Sequence, residues 1–465
     1  IRFLLSRLGD PHKGLQYVHV AGTNGKGSVC AMLESILRSA GYRTGLFTSP
    51  YIRRFEERIR VDGECIPEEE LAEIGERVLA VADGMEDKPT EFELVTAIGF
   101  CYFQRRKTDA VILEVGLGGR LDPTNVIEES LLSVITGIDL DHTALLGSTV
   151  AEIAREKAGI LKSGSPCLFG GASDEAEGII RKTAREKGSP FFAVDRSSLC
   201  VKELSLSGTR LSFGAWEDVT LPLLGQYQTA NAATVLSAVE ILRGRGLILP
   251  DEAVREGLAS VRWPARFEIL MQTPCVIFDG GHNPEGVREA VRSMQTYFPG
   301  LRVNVLSAVM QDKDFCTMAD LLSPIAKTVY TVSGGMPRSL SPERWAECFT
   351  ARGVKALACP VLDAGIRRAI RASREESLPL LCLGYFKSVV SLGHYVYAAA
   401  CVLGKVILCY QYTITLTCST PYPATQLMQL GQSETLGVLD DHNGGIGNID
   451  SNLDDCCSDQ YLGFT

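Results

Sequence analysis

The 465-residue chain contains no C-x-x-C pair among its fifteen cysteines and no excess of positive charge, its formal net charge being −10. The first absence excludes the commonest zinc and thioredoxin-like signatures. The cysteines are scattered and lie mostly in apolar runs such as Gly99-Phe100-Cys101-Tyr102, where a thiol acts as a small buried hydrophobe. No secretory signal is recognisable, so the cysteines are expected to be reduced and the protein cytoplasmic. The acidic balance argues against nucleic acid as the main partner; an anionic substrate must be met by a local cluster of positive groups. The common phosphate-loop spacing G-x-x-x-x-G-K-[ST] is missing too, because Gly27 separates Lys26 from Ser28. The length suggests about two to four domains.

What is present is a strand–loop–helix run, Val18-His19-Val20-Ala21-Gly22-Thr23-Asn24-Gly25-Lys26-Gly27-Ser28. β-Branched residues lead into a glycine-rich turn, and an amphipathic helix follows to about Ser39, stopped by Gly41. Glycines let the backbone turn sharply and aim its N–H groups inward, while the helix N-terminus adds positive potential. Lys26 is placed to reach terminal phosphates, and the Ser28 hydroxyl offers Mg²⁺ a hard oxygen. The turn reads as a phosphate cradle.

A second strand, Arg43 to Phe47, leads to Ser49, which precedes Pro50, is held extended and can turn its hydroxyl to the cradle. An acidic surface helix is expected from Pro67 to Ala82, and a helix with its apolar face toward the core from Thr90 to about Arg105. The apolar run Ala110 to Val115 reads as a central parallel strand, interrupted by Glu114 near its C-terminal end, where doubly wound sheets place their chemistry. A carboxylate there is costly unless paired or metal-bound. Gly116 to Asn125 reads as a flexible loop. The strand Leu131 to Ile138 ends in Asp139-Leu140-Asp141-His142, which sets His142 at a strand edge adjacent to that of Glu114. Thr149 and Glu152 form a capping box for a helix to about Leu161 that carries Lys157. Val201 to Phe213 reads as a hairpin, and a long helix from Gly225 carries Asn231 on its first turns. Trp263-Pro264 marks a boundary beyond which strands and helices alternate again to Gly384, as in a second, smaller Rossmann-like domain. The expected division is 1–262, 263–384 and an atypical tail, 385–465.

The loop Gly22-Thr23-Asn24-Gly25-Lys26-Gly27-Ser28, the run Thr48-Ser49-Pro50, Lys157-Ala158-Gly159-Ile160 and Asp279-Gly280-Gly281-His282-Asn283-Pro284 resemble the Mur ligase superfamily. Within it, the chain resembles the folylpolyglutamate and dihydrofolate synthases from Ile1 to about Gly384. The resemblance implies an α/β fold: a P-loop-containing, Mur-ligase-like central ATPase domain plus the smaller Rossmann-like C-terminal domain. It implies an ATP-dependent ligase in which a folate or dihydropteroate carboxylate becomes an acyl phosphate and the amine of L-glutamate displaces the phosphate. Thr23, Asn24, Gly25, Lys26, Gly27, Ser28, Asn231, Arg266, Asp279 and His282 are then expected at the nucleotide, with closure of the two domains completing the site. Gln311-Asp312-Lys313-Asp314 is a candidate for contact with the amino-acid substrate, and the stretch after Ser49 is expected to border the pterin-side pocket. Ser28, Ser49 and Glu114 are expected at one Mg²⁺, and His142 and Lys157 at a second. Lys157 can serve there only if carbamylated, because an ammonium has no lone pair for a cation. Lys26, His142 and Lys157 are the expected catalytic residues.

Two rival readings are a cell-wall Mur-type ligase and a nucleotide-binding module without ligase activity. The compact length without an obvious UDP-binding first domain stands against the first, and Glu114, His142 and Lys157 in family register stand against the second. A monomer is expected, without nucleic-acid or membrane partners. Relatives usually carry glycine where Ala265 stands, and a helical segment upstream of Ile1 is expected. From Tyr385 the resemblance stops. Ser388 to Leu416 is apolar with Lys405 as its only charge, and Ser388 to Gly404 just reaches a membrane-spanning length. The preferred account is an altered C-terminus followed by an acidic, disordered tail free of Lys and Arg from Gln426 onward.

Overall fold

The computed structural model describes residues 1–52 and 54–384; the apolar run Ser388 to Gly404 and the rest of the tail lie outside the described residues. Among the described residues no helix is long and apolar enough to cross a membrane. The described chain gathers into two compact units, residues 1–197 with 231–260, and residues 198–230 with 261–384.

The first unit is built on β1 (Tyr17–Ala21), β2 (Thr44–Phe47), β3 (Ile59–Val61), β4 (Glu64–Cys65), β5 (Ala110–Glu114), β6 (Leu132–Ile135), β7 (Cys167–Phe169) and β8 (Phe191–Ala193). Their order is β4-β3-β2-β5-β1-β6-β7-β8. β2, β5, β1, β6, β7 and β8 run parallel, and β3 and β4 fold back antiparallel at one edge. β1, β5 and β6 are buried along their whole length, which suits Val, Ile and Leu runs covered on both faces. The chain leaves β1 toward β2 on one side and later returns to β6 on the other. The crevice beyond the carboxyl end of β1 is therefore the place for a ligand.

Local signals explain the helices around this sheet. The helix Glu91–Arg106 opens on a reciprocal cap in which Thr90 Oγ1 accepts the Glu93 N–H and the Glu93 carboxylate accepts that of Thr90. Such a cap contributes about 1 kcal/mol. Its inner face sends Phe92, Phe100 and Phe103 into a core shared with Phe47 of β2. The expected acidic helix, Glu68–Asp83, turns Leu71, Ile74 and Val78 into the same core.

In the second unit β9 (Leu199–Ser205), β10 (Gly208–Phe213) and β11 (Trp216–Leu221) form an antiparallel sheet. The expected hairpin is its first two strands; β11 adds a third and buries Trp216, Val219 and Leu221. β12 (Glu268–Met271), β13 (Val276–Asp279), β14 (Val303–Ala308), β15 (Ala326–Val332), β16 (Lys355–Cys359) and β17 (Leu380–Gly384) lie in the order β12-β13-β17-β14-β15-β16, parallel except for β12. Phe267, Trp345, Phe349 and Leu381, all fully buried, anchor its core.

Candidate active site

β1 delivers the turn Gly22–Gly25, and Lys26 begins the helix Lys26–Ser39. Glycine is obligatory at two places in it. A Cβ on Gly22 would fall 1.8 Å from Thr136 Oγ1, and Gly25 combines φ +88° with Asn231 Oδ1 only 2.6 Å from where its Cβ would stand. The structure thus brings Asn231 against the glycine turn.

The turn is sewn to the chain that follows β6. The Thr23 N–H donates to Gly137 O (2.8 Å), the Asp139 N–H to Thr23 Oγ1 (3.0 Å) and Thr136 Oγ1 to Asn24 O (2.7 Å). This corrects the expected extent of the strand. β6 stops at Ile135, not Ile138, because the backbone beyond it pairs with the cradle instead of with a neighbouring strand. Ile138 is apolar because it packs in a core with Ile153 and Leu161.

Lys26 is half-buried, and its Nζ donates to Gly22 O (3.1 Å) and Thr23 O (3.3 Å). Lys157, on the helix Val150–Ala158, is 4% exposed and donates to the same Gly22 carbonyl at 3.0 Å. Burial pushes the Lys157 amine down to about 7; Lys26 pushes it the same way, and Asp141 and Asp122 oppose. Two amines therefore converge on one backbone oxygen at the mouth of the crevice. Glu114, the last residue of β5, is buried and accepts the Ser49 N–H at 3.2 Å. Ser28 is buried in the first turn of the helix. Cys30, a residue further along than Val29, has its thiol pushed up by burial and then by Glu114, with Lys26 opposing, so both charges act on the same helical turn.

His142 departs from the expectation. It lies well past the end of β6 and caps the short helix Thr143–Leu146 with φ +48°, its Nε2 4.0 Å from Asp141 Oδ1. β1 stands between β5 and β6, so Glu114 and His142 do not follow adjacent strands. The sheet needs this insertion because β1 is the strand from which the two halves diverge.

Several contributors were not legible beforehand. Asp122 is buried, and burial pushes its carboxyl up although it accepts N–H bonds from Leu117 and Thr124, both at 2.9 Å, and the Thr124 hydroxyl at 2.5 Å. Thr124 Oγ1 in turn meets His19 Nε2 at 2.9 Å. The loop 116–125 is thus pinned from within, and the Asp-Pro-Thr order, an N-cap followed by proline, is the local signal for it. Arg58, within the charge run after Ser49, is buried with its guanidinium over the Tyr51 (5.2 Å) and Phe55 (5.9 Å) rings. Burial pushes Glu91 up to about 7, with Arg58 opposing.

In the second unit, Asp279 ends β13. Its carboxylate accepts the Tyr227 hydroxyl (2.9 Å), the Phe267 N–H (2.9 Å) and the Gly281 N–H (2.7 Å). His282 Nδ1 lies 3.1 Å from Gly280 O, and Arg266 Nη1 donates to Ala265 O at 3.3 Å.

Among the described residues no three His, Cys, Asp or Glu side chains converge on a metal position. The residues expected at one Mg²⁺, Ser28, Ser49 and Glu114, would offer two hydroxyls and a carboxylate. That set fits Mg²⁺, which takes one or two carboxylates and completes its shell with waters and phosphates. It fits no soft transition metal.

Residues 20–239 match the Mur ligase middle domain, and residues 265–384 the Mur ligase glutamate ligase domain. Together with the cradle they define an ATP-dependent ligase of the Mur type, one that forms C–N bonds. The chain is 40% identical over 347 residues to the dihydrofolate synthase/folylpolyglutamate synthase of Bacillus subtilis, covering 72% of this chain and 80% of that protein. The crystal structure of folylpolyglutamate synthase from Thermotoga maritima superposes with a TM-score of 0.73 at 33% identity, covering 87% of this chain and 93% of that one. The Mycobacterium tuberculosis folylpolyglutamate synthase complexed with ADP gives 0.76 at 29%, covering 87% and 94%. The chain belongs to the folylpolyglutamate synthase/dihydrofolate synthase family.

Proposed function

We propose that this chain joins L-glutamate to a folate, to dihydropteroate, or to both, in an ATP-driven reaction through an acyl phosphate. The convergence of Lys26 and Lys157 on the Gly22 carbonyl, beside the buried Glu114, carries this reading. Lys26 offers the polyphosphate a positive charge, and the neighbouring Lys157, lowered to about 7, is open to chemical change.

A carboxylate is a poor electrophile because it would have to expel oxide. Its oxygen therefore attacks the γ-phosphorus, the bond to the β-phosphate oxygen breaks, and ADP leaves. The glutamate amine then adds to the acyl carbon, the C–O bond to phosphate breaks, and the amine gives up a proton. Lys26 steadies the charge that moves onto the departing ADP, and the backbone N–H groups of the turn orient the phosphates. Thr23, Asn24, Gly25, Gly27 and Ser28 hold the phosphates, and Asn231 contacts the nucleotide. Arg266 and His282 are assigned to nucleotide contact as well. Asp279 is assigned to holding the backbone beside them, and Gln311 to Asp314 to glutamate. Ser28, Ser49 and Glu114 would hold Mg²⁺, which supplies positive charge along the polyphosphate. A second Mg²⁺ would draw on His142 and a carbamylated Lys157. An amine poised near neutrality suits that modification, because only the neutral form adds CO₂ and sheds a proton.

ADP release is the test, measured with dihydropteroate and tetrahydrofolate as separate acceptors. Release that requires both glutamate and one of the acceptors is expected. ATP binding without such release would overturn the reading in favour of a nucleotide-binding module, and turnover only on a UDP-linked peptide would move it to the cell-wall ligases.

A further inference from the structure

The loop 116–125 does more than connect two strands, because its backbone lies on the turn of helix that carries Lys157. A Cβ on Gly119 would stand 3.1 Å from Lys157 Cα and 2.8 Å from Glu156 O, and one on Gly159 would stand 2.4 Å from Arg120 Cβ. At this closest approach the Arg120 N–H donates to Glu156 O at 2.9 Å. Asn125 joins the two segments. Its Nδ2 donates to Arg120 O (3.0 Å) and to Gly159 O (3.3 Å), and its Oδ1 accepts Lys162 Nζ at 2.7 Å, while its backbone carbonyl takes the same amine at 3.1 Å. One half-buried amide therefore touches the loop, the residue two beyond Lys157, and the residue five beyond it.

We propose that Asn125 is a positioning residue: it holds the C-terminal turn of the Val150–Ala158 helix against the loop and so sets how far Lys157 reaches toward the Gly22 carbonyl. This rests on the reading of Lys157 as a catalytic residue. The last turn of a helix has carbonyls without helical N–H partners, and the Asn125 amide satisfies one of them in a way water could not, because it also fixes direction. A nine-residue helix held only at its start would let that end fray, and the amine at its tip would lose its register with the cradle.

The test uses the full chain and four enzymes: the parent, Asn125→Ala, Lys157→Ala and the double variant. Asn125→Ala is expected to lower kcat about 10- to 100-fold, the scale of an ångström-sized misplacement, with KM for ATP little changed. It is also expected to speed amide hydrogen exchange over residues 156–162. In the Lys157→Ala background the same change should cost nothing further, whereas a merely structural role would add its penalty again. If Asn125→Ala fails to fold, Asn125→Asp takes its place, since it keeps the acceptor for Lys162 and loses both donated bonds. Unchanged exchange over 156–162, or a penalty that persists in the double variant, overturns the assignment. A fully active Lys157→Ala enzyme overturns the reading of Lys157 beneath it instead.

Discussion

Both units bring loops to the carboxyl edge of a parallel sheet, yet one buried group in each, Asp279 and Lys157, is held in opposite ways. In the second unit the Asp279 carboxylate accepts three hydrogen bonds from its own surroundings, and its charge is spent on holding the chain. In the first, the Lys157 amine is buried, shares one carbonyl with Lys26 and is driven toward neutrality. A satisfied charge stabilises a scaffold. A buried amine with another cation beside it raises the energy of the empty site, and proton loss, a ligand or a chemical change relieves it.

Breaking the first arrangement should produce the largest effect. Lys26→Ala removes one of the two converging cations, so the fold should hold its thermal midpoint while ATP turnover falls about 10³-fold or more. Near-normal ligase rates in that variant would end the cradle assignment.

Lys157→Ala comes next, with a loss of about 10²-fold and partial rescue by acetate, a short acid that can stand where a carbamate oxygen would. Electron density extending beyond Nζ in a nucleotide-bound crystal would support the modification, and bare lysine density there would refute it. The same residue carries a pH signature. Its folded value of about 7 lies below the ordinary 10.5, so between the two the unfolded chain binds the additional proton. Stability from this group is therefore greatest above the ordinary value and is lost as pH falls toward 7. Lys157→Met should accordingly be more stable than the parent at pH 7, by a margin that shrinks as pH rises, which denaturant titrations at several pH values would reveal.

The contrast also separates what could be read from the chain from what could not. Elements with local causes were legible: the run that forms β1, the glycine turn, the helix opening at Thr90, the Thr149 cap, the buried strand with Glu114 near its end. The contacts that make the site act over long separations. Lys157 meets a carbonyl 135 residues away, and Asn125 meets Gly159 from 34 residues away. Asp122-Pro123-Thr124 signals the loop's internal pinning, but nothing in it announces the distant partners of Asn125, so 116–125 read as slack. The strand order had the same blind spot, because periodicity says nothing of which strand is inserted between two others. Ala265 is the opposite case. Its φ of +58° puts an L-residue in the left-handed region, a conformation that favours glycine.

On the other side of the contrast, Asp279→Asn should show itself in stability. An amide can keep one acceptor oxygen but turns an NH₂ group toward a donor, Tyr227 Oη or the N–H of Phe267 or Gly281. A loss of about 1–3 kcal/mol is expected from a buried group left with such a mismatch, read as a lower denaturant midpoint at unchanged slope. If turnover collapsed while stability held, Asp279 would be a working group like Lys157, and the contrast between the two units would fail.

The smallest effect is expected within the helix that carries Lys157, at its other end. Thr149 Oγ1 accepts the Glu152 N–H at 3.2 Å, and Glu152 Oε2 accepts the Ser148 and Thr149 N–H groups and the Thr149 hydroxyl. This cap starts the helix, whereas Asn125 and the loop hold its end, so Thr149→Ala removes a structural bond without shifting the amine. Losing a threonine N-cap costs about 1 kcal/mol. The Thr149 hydroxyl is the main cause that holds the Glu152 carboxyl below its usual range, so the cap's contribution is present above the ordinary glutamate value and lost as pH falls through the depressed one. The gap between parent and Thr149→Ala should therefore narrow in acid, to what the Glu152 N–H bond to Thr149 Oγ1 contributes, while kcat at neutral pH stays within about twofold, on the scale of a surface change away from the chemistry. A large kcat loss in Thr149→Ala, matching that of Asn125→Ala, would mean that the helix moves as one rigid piece and that its far end has no separate hold on Lys157.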